Sequence, residues 1–456
     1  MLFTTWAFGG MASWARMAIC LWGSLSLGLS AAFLLKRKWH AETKVTLRWL
    51  WPPLLFNALV LCGLFNPSFG DIMMEGERMA FRREEIPYLP SITRPVTALN
   101  ALWLFDVLYL SCFNLALIVR RRGFLRGLLL LTVVNALALA VFGIAQSITN
   151  ASGLYFGAIR SPQPYFFASF VYHNHWGAFT LLMTAACIAL TWRRAQQNRD
   201  RDFLHSPAMA GVVAVFLLGL TIPLSGSRSS TLLLILLLAA ALVHCLTAVV
   251  RRRRALRESP WPPILITVAI LVVGGVVGYD MAKPMIERRL EHTLTQVHAA
   301  QSKGDFGARP ILYRDTWRMA QAKLAFGWGM GSYPTVFQLF NSNRIHVPAT
   351  NMHSPIYYHD AHSDWLQSLA EVGIVGTALL VLTALVPFWS IFRLRSGALS
   401  LYLFLGCLLV VIYAAIEFPF GNIAVVLFWW FLFFSAVAYA RLTASRAAKE
   451  ASSFSA

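Results

Sequence analysis

Residues 359–376, HDAHSDWLQSLAEVGIVG, place two histidines and two aspartates within six positions, directly before a long apolar run. An apolar segment of about 20 residues is enough to cross a hydrocarbon core about 30 Å thick. Ionisable side chains are costly in that core, and near it they mark a functional site by default. This junction therefore predicts a membrane-spanning helix whose polar end carries chemistry.

The composition of the whole chain agrees with this interpretation. Of its 456 residues, 57% are hydrophobic and 13% are charged, whereas a soluble domain has about 45–50% apolar and about 25% charged residues. We therefore predict an all-α fold, a polytopic transmembrane helical bundle with one large loop between late spans.

Apolar runs of spanning length recur along the chain. About eleven are recognisable, and a twelfth is present if residues 1–35 contain a short hairpin, so about 11–12 spans are predicted. The first run continues into a basic stop, and we interpret it as an anchor rather than a cleaved signal peptide. The candidate spans are 14–35, 48–66, 99–119, 124–146, 173–192, 208–224, 230–250, 261–280, 372–392, 398–417 and 422–441.

Basic clusters follow alternate spans and predict the topology. The net charge of +19 would suggest a nucleic-acid partner in a soluble protein, but here short arginine clusters separate apolar runs, and no nucleic acid is predicted. Loops rich in lysine and arginine stay in the cytoplasm. The segments predicted to face outward are 67–98, 147–172, 224–229, 281–361 and 418–421.

The cysteines and histidines bear on metal binding. The six cysteines lie inside apolar runs without CxxC spacing, which indicates neither a disulfide framework nor a zinc–thiolate site. His173 and His175, together with His359 and His362, are an alternative set of ligands for zinc or copper, since imidazole suits both metals. The surplus of arginine around them disfavours a cation, and we predict no metal and no cofactor.

Basic side chains and histidines collect at helix ends that are predicted to face outward. Arg160 precedes the sequence YHNHWGAF, which contains His173 and His175. The turn PLSGSRSS places Arg228 at or just below the membrane surface, flanked only by small hydroxyl residues. Because a guanidinium group offers bidentate donors to phosphate oxygens, an anionic ligand is the expected partner of Arg228. The alternatives are that Arg228 snorkels to lipid headgroups and that the two histidines cap a span.

The long loop 281–361 contains a helical segment before the opening junction. Arg314 and Arg318 are spaced i,i+4 in YRDTWRMAQAKLA, so they share one helix face, which is either a binding surface or a solvated one. GWGMGSYP then breaks the helix; it follows no predicted strand and is not a nucleotide-binding loop. His362 lies at the end of the loop, and Glu371 follows nine residues later, about two and a half helical turns deeper.

Three stretches together resemble the bacterial O-antigen ligase/polymerase family, which includes O-antigen ligases, surface-polysaccharide polymerases and protein O-oligosaccharyltransferases. They are a span pair joined by SGSRSSTLLLIL, a long loop with paired basic residues before FGWGMGSYPTVF, and AHSDWLQSLAEVGIVG. The last fits a His-x-x-x-Leu-x-x-x-x-Glu-x-Gly pattern at His362, Leu366, Glu371 and Gly373. FVYHNHWGAF also resembles an element that opens a span in exopolysaccharide polymerases. The resemblance covers about 165–380 of the chain.

The resemblance implies an organisation, a location and a reaction. It divides the chain into N-terminal transmembrane helices (1–164), an O-antigen ligase-like core with the periplasmic loop 281–361 (165–380), and C-terminal transmembrane helices with a cytoplasmic tail (381–456). It implies a multi-pass protein of the bacterial inner membrane whose active site faces the periplasm. The implied reaction transfers a glycan from undecaprenyl pyrophosphate to an acceptor hydroxyl, with inversion at the anomeric carbon and without a metal.

The resemblance also implies roles for the candidate residues. His362 would act as the general base, since imidazole accepts a proton at neutral pH. Arg228 and Arg314 would stabilise charge on the departing pyrophosphate. The family often has asparagine after the loop histidine, where this chain has Ser363. The further substrate-binding candidates are Arg160, His173, His175, Arg318 and Glu371.

Several reactions remain open within this resemblance. A polymerase joins one lipid-linked repeat to another, whereas a ligase moves a finished chain onto lipid A–core. The histidine-rich YHNHWGAF favours a polymerase of exopolysaccharide or O-antigen. A non-enzymatic transporter of lipid-linked glycan is a further alternative, but no internal repeat supports it. The expected partners are the lipid-linked glycan, a glycan or lipid A–core acceptor, membrane lipid and a chain-length regulator.

Overall fold

The computed structural model describes residues 1–35, 41–74, 77–163, 165–197, 206–262, 308–342, 357–392 and 397–454, with short stretches and single positions between 264 and 283 and at 394. Its regular structure is almost entirely helical, which confirms the all-α prediction. The elements are α1 (Leu2–Trp6), α2 (Ser13–Leu35), α3 (Ala41–Leu47), α4 (Trp51–Gly63), β1 (Phe69–Met74), β2 (Glu77–Arg82), α5 (Pro95–Ile118), α6 (Arg122–Ile148), α7 (His173–Gln197), α8 (Pro207–Leu224), α9 (Arg228–Ala255), α10 (Ala308–Ala322), α11 (Tyr333–Val336), α12 (Asp364–Phe392), α13 (Ala398–Tyr413) and α14 (Ile423–Phe454).

Most of the predicted spans correspond to helices. Within the described ranges, nine helical segments are long and apolar enough to cross a membrane, and α13 is a shorter apolar helix. Together they account for ten of the eleven predicted spans, and the chain is a multi-pass membrane protein. The predicted span 261–280 is described only in part, with short helical stretches separated by positions outside the described residues. In residues 1–35, α1 is a single short helix before α2, so the hairpin that would have supplied a twelfth span is not formed there.

The chain folds into two compact units that interleave along the sequence. Unit 1 consists of Met1–Gly9, Gly123–Gly304 and Ala398–Tyr413, and unit 2 of Gly10–Arg122, Asp305–Gly397 and Ala414–Ala456. These units differ from the three consecutive segments inferred from the resemblance, which remain a prediction.

In unit 1, α7 forms the centre and packs on α8, α9 and α13. Residues 173–189 of α7 are all buried. Close approach of α9 depends on Gly177, where a Cβ would lie 2.4 Å from Ser230 Oγ. Small residues allow membrane helices to approach each other in this way. At α1, Trp6 Nε1 donates to Asn135 Oδ1 of α6 over 2.9 Å.

In unit 2, α14 forms the centre and packs along α5. The rings of Tyr109 and Trp430 meet edge-to-face with centroids 4.8 Å apart, and Phe113 meets Phe434 in the same way at 5.5 Å. Such aromatic pairs stabilise the helix contact beyond the area they bury. α12 packs on α4, on α10 and on α14, so the polar end of α12 lies among the elements of this unit.

Helix α12 breaks at Gly373, where φ is 66° and ψ is −172°. A positive φ favours glycine, and a Cβ at this position would also lie 2.4 Å from the backbone of the facing loop. Instead, the backbone of the break bonds the loop after α10: Ile374 N donates to Leu324 O over 2.9 Å, and Gly329 N donates to Glu371 O over 2.7 Å. Backbone groups that the break removes from the helix therefore form hydrogen bonds with the loop. These bonds hold the loop against the polar end of α12.

The outward segment predicted as loop between α4 and α5 contains a β-hairpin. Strands β1 and β2 pair antiparallel, with Phe69 opposite Arg82. Lys323, just after α10, contacts Glu85 beyond the hairpin and donates to Ser91 Oγ over 2.7 Å. The segment after the hairpin is thus attached to the end of α10.

Candidate active site

His362 lies immediately before α12 in an unusual backbone conformation. Its φ is 51°, a region that non-glycine residues rarely adopt. Its carbonyl oxygen accepts a hydrogen bond from Tyr313 Oη over 2.9 Å, and the same hydroxyl lies 3.2 Å from the carbonyl oxygen of Ile416. A sparsely populated backbone that neighbouring residues hold in place is common at functional sites.

The side chain of His362 faces a buried carboxylate. Glu417 is 3% exposed; its Oε1 contacts Arg309 Nη2, and its Oε2 lies 3.7 Å from His362 Nδ1. This second distance is longer than a hydrogen bond, so the interaction is electrostatic in this geometry. The ring of Phe418 meets the imidazole edge-on at 4.7 Å. Nδ1 is buried while 31% of the histidine side chain is exposed, so the accessible part of the ring lies away from Glu417.

The pKa values of two carboxyl groups near His362 are shifted in opposite directions. Burial alone would raise the pKa of Glu417, but His362 and the positive charge of Arg309 outweigh it, so this pKa lies below its usual value. Burial raises the pKa of Asp360 although the nearby His362 and His359 oppose the shift. Glu417 is therefore the group that carries negative charge beside the imidazole at neutral pH.

The start of α12 is fixed by caps and by the turn before α14. Ser363 is 1% exposed, and its Oγ accepts a hydrogen bond from Leu366 N over 3.4 Å. Serine is among the residues favoured at this capping position. Asp364 Oδ2 accepts from Phe420 N over 2.8 Å, and Asp364 N donates to Ala414 O over 2.9 Å.

Glu371 organises the glycine-rich loop. Its two oxygens accept hydrogen bonds from Gly331 N over 2.8 Å and from Tyr333 N over 3.1 Å. Gln367, one turn earlier on α12, lies 3.4 Å from the same carboxylate. These contacts attach the glycine-rich loop to α12, whereas a substrate-binding role for Glu371 remains a prediction.

Arg314 and Arg318 lie on a different side of α10 from Arg309. Both side chains are more than half exposed, and both reach Asp315 Oδ1, at 3.4 Å and 3.6 Å, as their i,i+4 spacing predicts. Arg314 Nη2 also donates to Ser342 Oγ over 2.8 Å. With 3.6 residues per turn, Arg309 lies about 140° around the helix from Arg314.

In unit 1, Arg228 is the first residue of α9 and is exposed. The hydroxyl residues around it bond other partners: Ser227 Oγ donates to Ser230 Oγ over 2.9 Å and lies 3.3 Å from Tyr413 Oη. Within the described ranges, no residue accepts a hydrogen bond from Arg228. Its guanidinium group is therefore accessible to a ligand.

The other unit 1 candidates differ in exposure. Arg160 is exposed in the connection before α7. His173 and His175, in the first turn of α7, are buried. The ring of His173 packs edge-on against Tyr165 and Tyr172, and the ring of His175 packs against Tyr172 at 5.1 Å. The structure gives both histidines packing contacts, and their binding of substrate remains a prediction.

Unit 2 thus brings His362 together with Arg309, Tyr313 and Glu417, to none of which the sequence analysis assigned a role. A signal for Glu417 was present, because it is the only acidic residue between Glu371 and Glu450. A lone carboxylate beside a predicted outward turn indicates a specific partner.

The comparisons with known proteins point to one family. Residues 213–381 match the family model described as O-antigen ligase. No curated protein matches the chain. The matched region includes Arg228, α10 and the junction at His362, whereas Glu417 lies outside it.

Proposed function

We propose that this chain is a member of the O-antigen ligase/polymerase family, since residues 213–381 match the family model described as O-antigen ligase, and that it transfers glycan from undecaprenyl pyrophosphate to an acceptor sugar hydroxyl at the periplasmic face of the bacterial inner membrane. As a member it is a membrane glycosyltransferase that acts on a lipid-linked glycan and an acceptor. Polymerisation of exopolysaccharide or O-antigen repeats is the reaction that we propose.

The observation that carries this proposal is the meeting of His362 and Arg309 on one carboxylate. Because both contact Glu417, a base and a cation lie one side chain apart at the polar end of a spanning helix. Transfer from a diphosphate needs both groups: a base for the acceptor hydroxyl and fixed positive charge for the leaving group.

The proposed step is a single displacement. The acceptor oxygen forms a bond to the anomeric carbon while its proton passes to His362. The bond between that carbon and the phosphate oxygen breaks, and its electron pair leaves with the pyrophosphate, so the configuration inverts. Arginine stabilises the developing phosphate charge because its guanidinium group binds phosphate oxygens in a bidentate manner and stays protonated.

We assign the remaining candidates to binding. In unit 2, Arg314 is proposed to contact the diphosphate, which is supported by its exposure, and Arg318 and Glu371 are proposed to bind substrate beside it. For unit 1 we propose separately that the exposed Arg228 binds an anionic group, and that Arg160, His173 and His175 bind substrate.

The test uses alanine variants in a strain that lacks the native gene. His362→Ala, Arg309→Ala, Arg228→Ala and Arg314→Ala should each lower surface glycan while the tagged protein still reaches the membrane. Arg253→Ala is the matched control, because Arg253 is an exposed arginine paired with Glu258 at the other end of α9. Full activity of all four variants would refute the proposal.

The lipid-linked glycans of the deletion strain distinguish the alternatives. Loss of a polymerase leaves single repeats on the carrier, and this is the result we expect. Long chains on undecaprenyl carrier would identify a ligase that acts on lipid A–core. Repeats retained in the cytoplasm would identify a transporter.

A further inference from the structure

Glu417 combines near-complete burial with a different partner on each carboxylate oxygen. Oε1 contacts Arg309, and Oε2 faces His362 Nδ1 at 3.7 Å. Burying a carboxylate is costly unless its partners compensate. Arg309 is half exposed and contacts Oε1. This contact does not account for the position of Oε2, which lies beside the buried nitrogen of His362.

We propose that Glu417 is the positioning residue for His362: its carboxylate holds the imidazole with Nδ1 protonated and leaves Nε2 to take the proton of the acceptor. This role rests on the proposed function, in which His362 is the base. A carboxylate beside one ring nitrogen fixes the tautomer and stabilises the imidazolium that forms when the base accepts a proton.

The backbone supports this orientation from several sides. Tyr313 of α10 donates to the carbonyl oxygen of His362 and also lies beside that of Ile416, so one hydroxyl joins the histidine to the segment that carries Glu417. Asp364 N lies 3.3 Å from the carbonyl oxygen of Glu417. These contacts fix the positions of the His362 and Glu417 side chains relative to each other.

The charged and titratable groups around His362 come from every neighbouring element. They are His359 and Asp360 on its own segment, Asp364 at the start of α12, Arg309 and Tyr313 on α10, and Glu417 before α14. Burial keeps Asp360 toward its neutral form. Glu417 is thus the anion that dominates the field at the imidazole, and Arg309 weakens that field because it shares the carboxylate.

The two partners of the carboxylate should act on the tautomer of His362 in opposite directions. Glu417→Gln removes the negative charge beside Nδ1, so the preference for a proton on Nδ1 should weaken. Arg309→Gln leaves the carboxylate to His362 alone, so that preference should strengthen. Asp315→Asn is the matched control: it removes another buried carboxylate next to α10 arginines and should leave the tautomer of His362 unchanged.

This contact can be tested without any glycan. The full chain, labelled with ¹⁵N in its histidine rings, is studied by NMR in detergent, where the shifts of the two ring nitrogens report the tautomer, and His362→Gln identifies the signals of His362. Opposite changes of the tautomer population in the Glu417→Gln and Arg309→Gln variants support the pairing. The same tautomer population in the wild type and in both variants would overturn it, whatever reaction the protein catalyses.

The catalytic consequence is tested by the pH profile of transfer. Glu417→Gln should lower kcat by about 10–100-fold with little change in KM, and the acid limb of its kcat/KM profile should move to lower pH. Glu417→Asp should restore part of the rate. A wild-type rate and profile in Glu417→Gln, with His362→Ala inactive, would refute the positioning role alone. A fully active His362→Ala would instead refute the proposed function, and the NMR measurement of the tautomer would still test the pairing.

Discussion

Two buried carboxylates contact arginines of the same helix, α10, but their surroundings differ. Asp315 is fully buried; its Oδ2 accepts hydrogen bonds from Ser342 N over 2.8 Å and from Ser342 Oγ over 2.6 Å, and its Oδ1 faces Arg314 and Arg318. Glu417 is equally sheltered, but its second oxygen faces a titratable ring at a distance longer than a hydrogen bond.

The difference separates a structural carboxylate from one that is available for chemistry. Asp315 accepts two hydrogen bonds from Ser342, and these bonds attach the chain at Ser342 to α10. Glu417 keeps one oxygen next to an imidazole, a side chain that can accept a proton. Burial and an arginine partner are common to both carboxylates, so the nature of the remaining neighbour decides which one takes part in a reaction.

The largest effect is expected for His362→Ala, which removes the ring that distinguishes the surroundings of Glu417 from those of Asp315. Transfer should fall by about 10²–10⁴-fold, the usual contribution of a general base. The measurement is the rate of glycan transfer by purified protein, with thermal unfolding as a control for folding. A loss smaller than tenfold would remove the chemical distinction between the two carboxylates.

Asp315→Asn should act on stability instead. Hydrogen bonds to a charged group contribute about 1.5–3 kcal/mol, so we expect the free energy of unfolding to fall by about 2 kcal/mol. Denaturation in detergent measures this change, and Ser342→Ala, which removes only the hydroxyl bond, should lose about half as much. Unchanged stability together with abolished transfer would assign Asp315 to the reaction and break the comparison.

The arginines that contact the two carboxylates should rank by whether their carboxylate also faces the base. Arg309→Ala should lower kcat/KM by roughly 100-fold and Arg314→Ala by roughly tenfold, because positive charge at the reacting phosphate contributes most. Steady-state rates at several concentrations of lipid-linked donor provide the comparison. The reverse order would make Arg314, and not Arg309, the main contact of the reacting phosphate.

The smallest effect is expected for Asp360→Asn, and it depends on pH. Because burial raises the pKa of Asp360 in the folded state, the unfolded chain releases this proton first as the pH rises, and the ionising carboxyl lowers stability at neutral pH. The variant should therefore unfold at a higher temperature than the wild type at pH 7. The difference should vanish below about pH 4, where the unfolded carboxyl is also protonated. A melting temperature of Asp360→Asn below that of the wild type at pH 7 would contradict this prediction.

Most of the fold was predictable because apolar length is a local property of the sequence. The boundaries of the helices and strands were less predictable. α12 begins at Asp364, eight positions before the predicted start at 372, because Ser363 caps it and the facing loop bonds its break. The hairpin from Phe69 to Arg82 was predicted as loop, since its pairing depends on neighbours and not on a strong alternation of apolar and polar residues.

The site was predictable only in part, because its partners are distant in sequence. His362 was selected from its place before a span. Glu417 lies 55 residues later, and only the tertiary fold brings the two together. The choice between Arg309 and Arg314 depends on which side of α10 faces that carboxylate, and helical spacing alone leaves the phase undetermined. The roles of Arg228 and Arg314 stay predictions.

The pairing of α5 with α14 has a consequence for biogenesis. Cys112 of α5 contacts the carbonyl oxygen of Leu427 in α14 across 315 residues. At about 5–20 residues per second, a ribosome needs roughly 15–60 s to make the intervening chain. During this time the face of α5 that bears Tyr109 and Phe113 has no native partner from α14. This aromatic face of α5 therefore contacts lipid or other helices of the membrane until translation delivers α14.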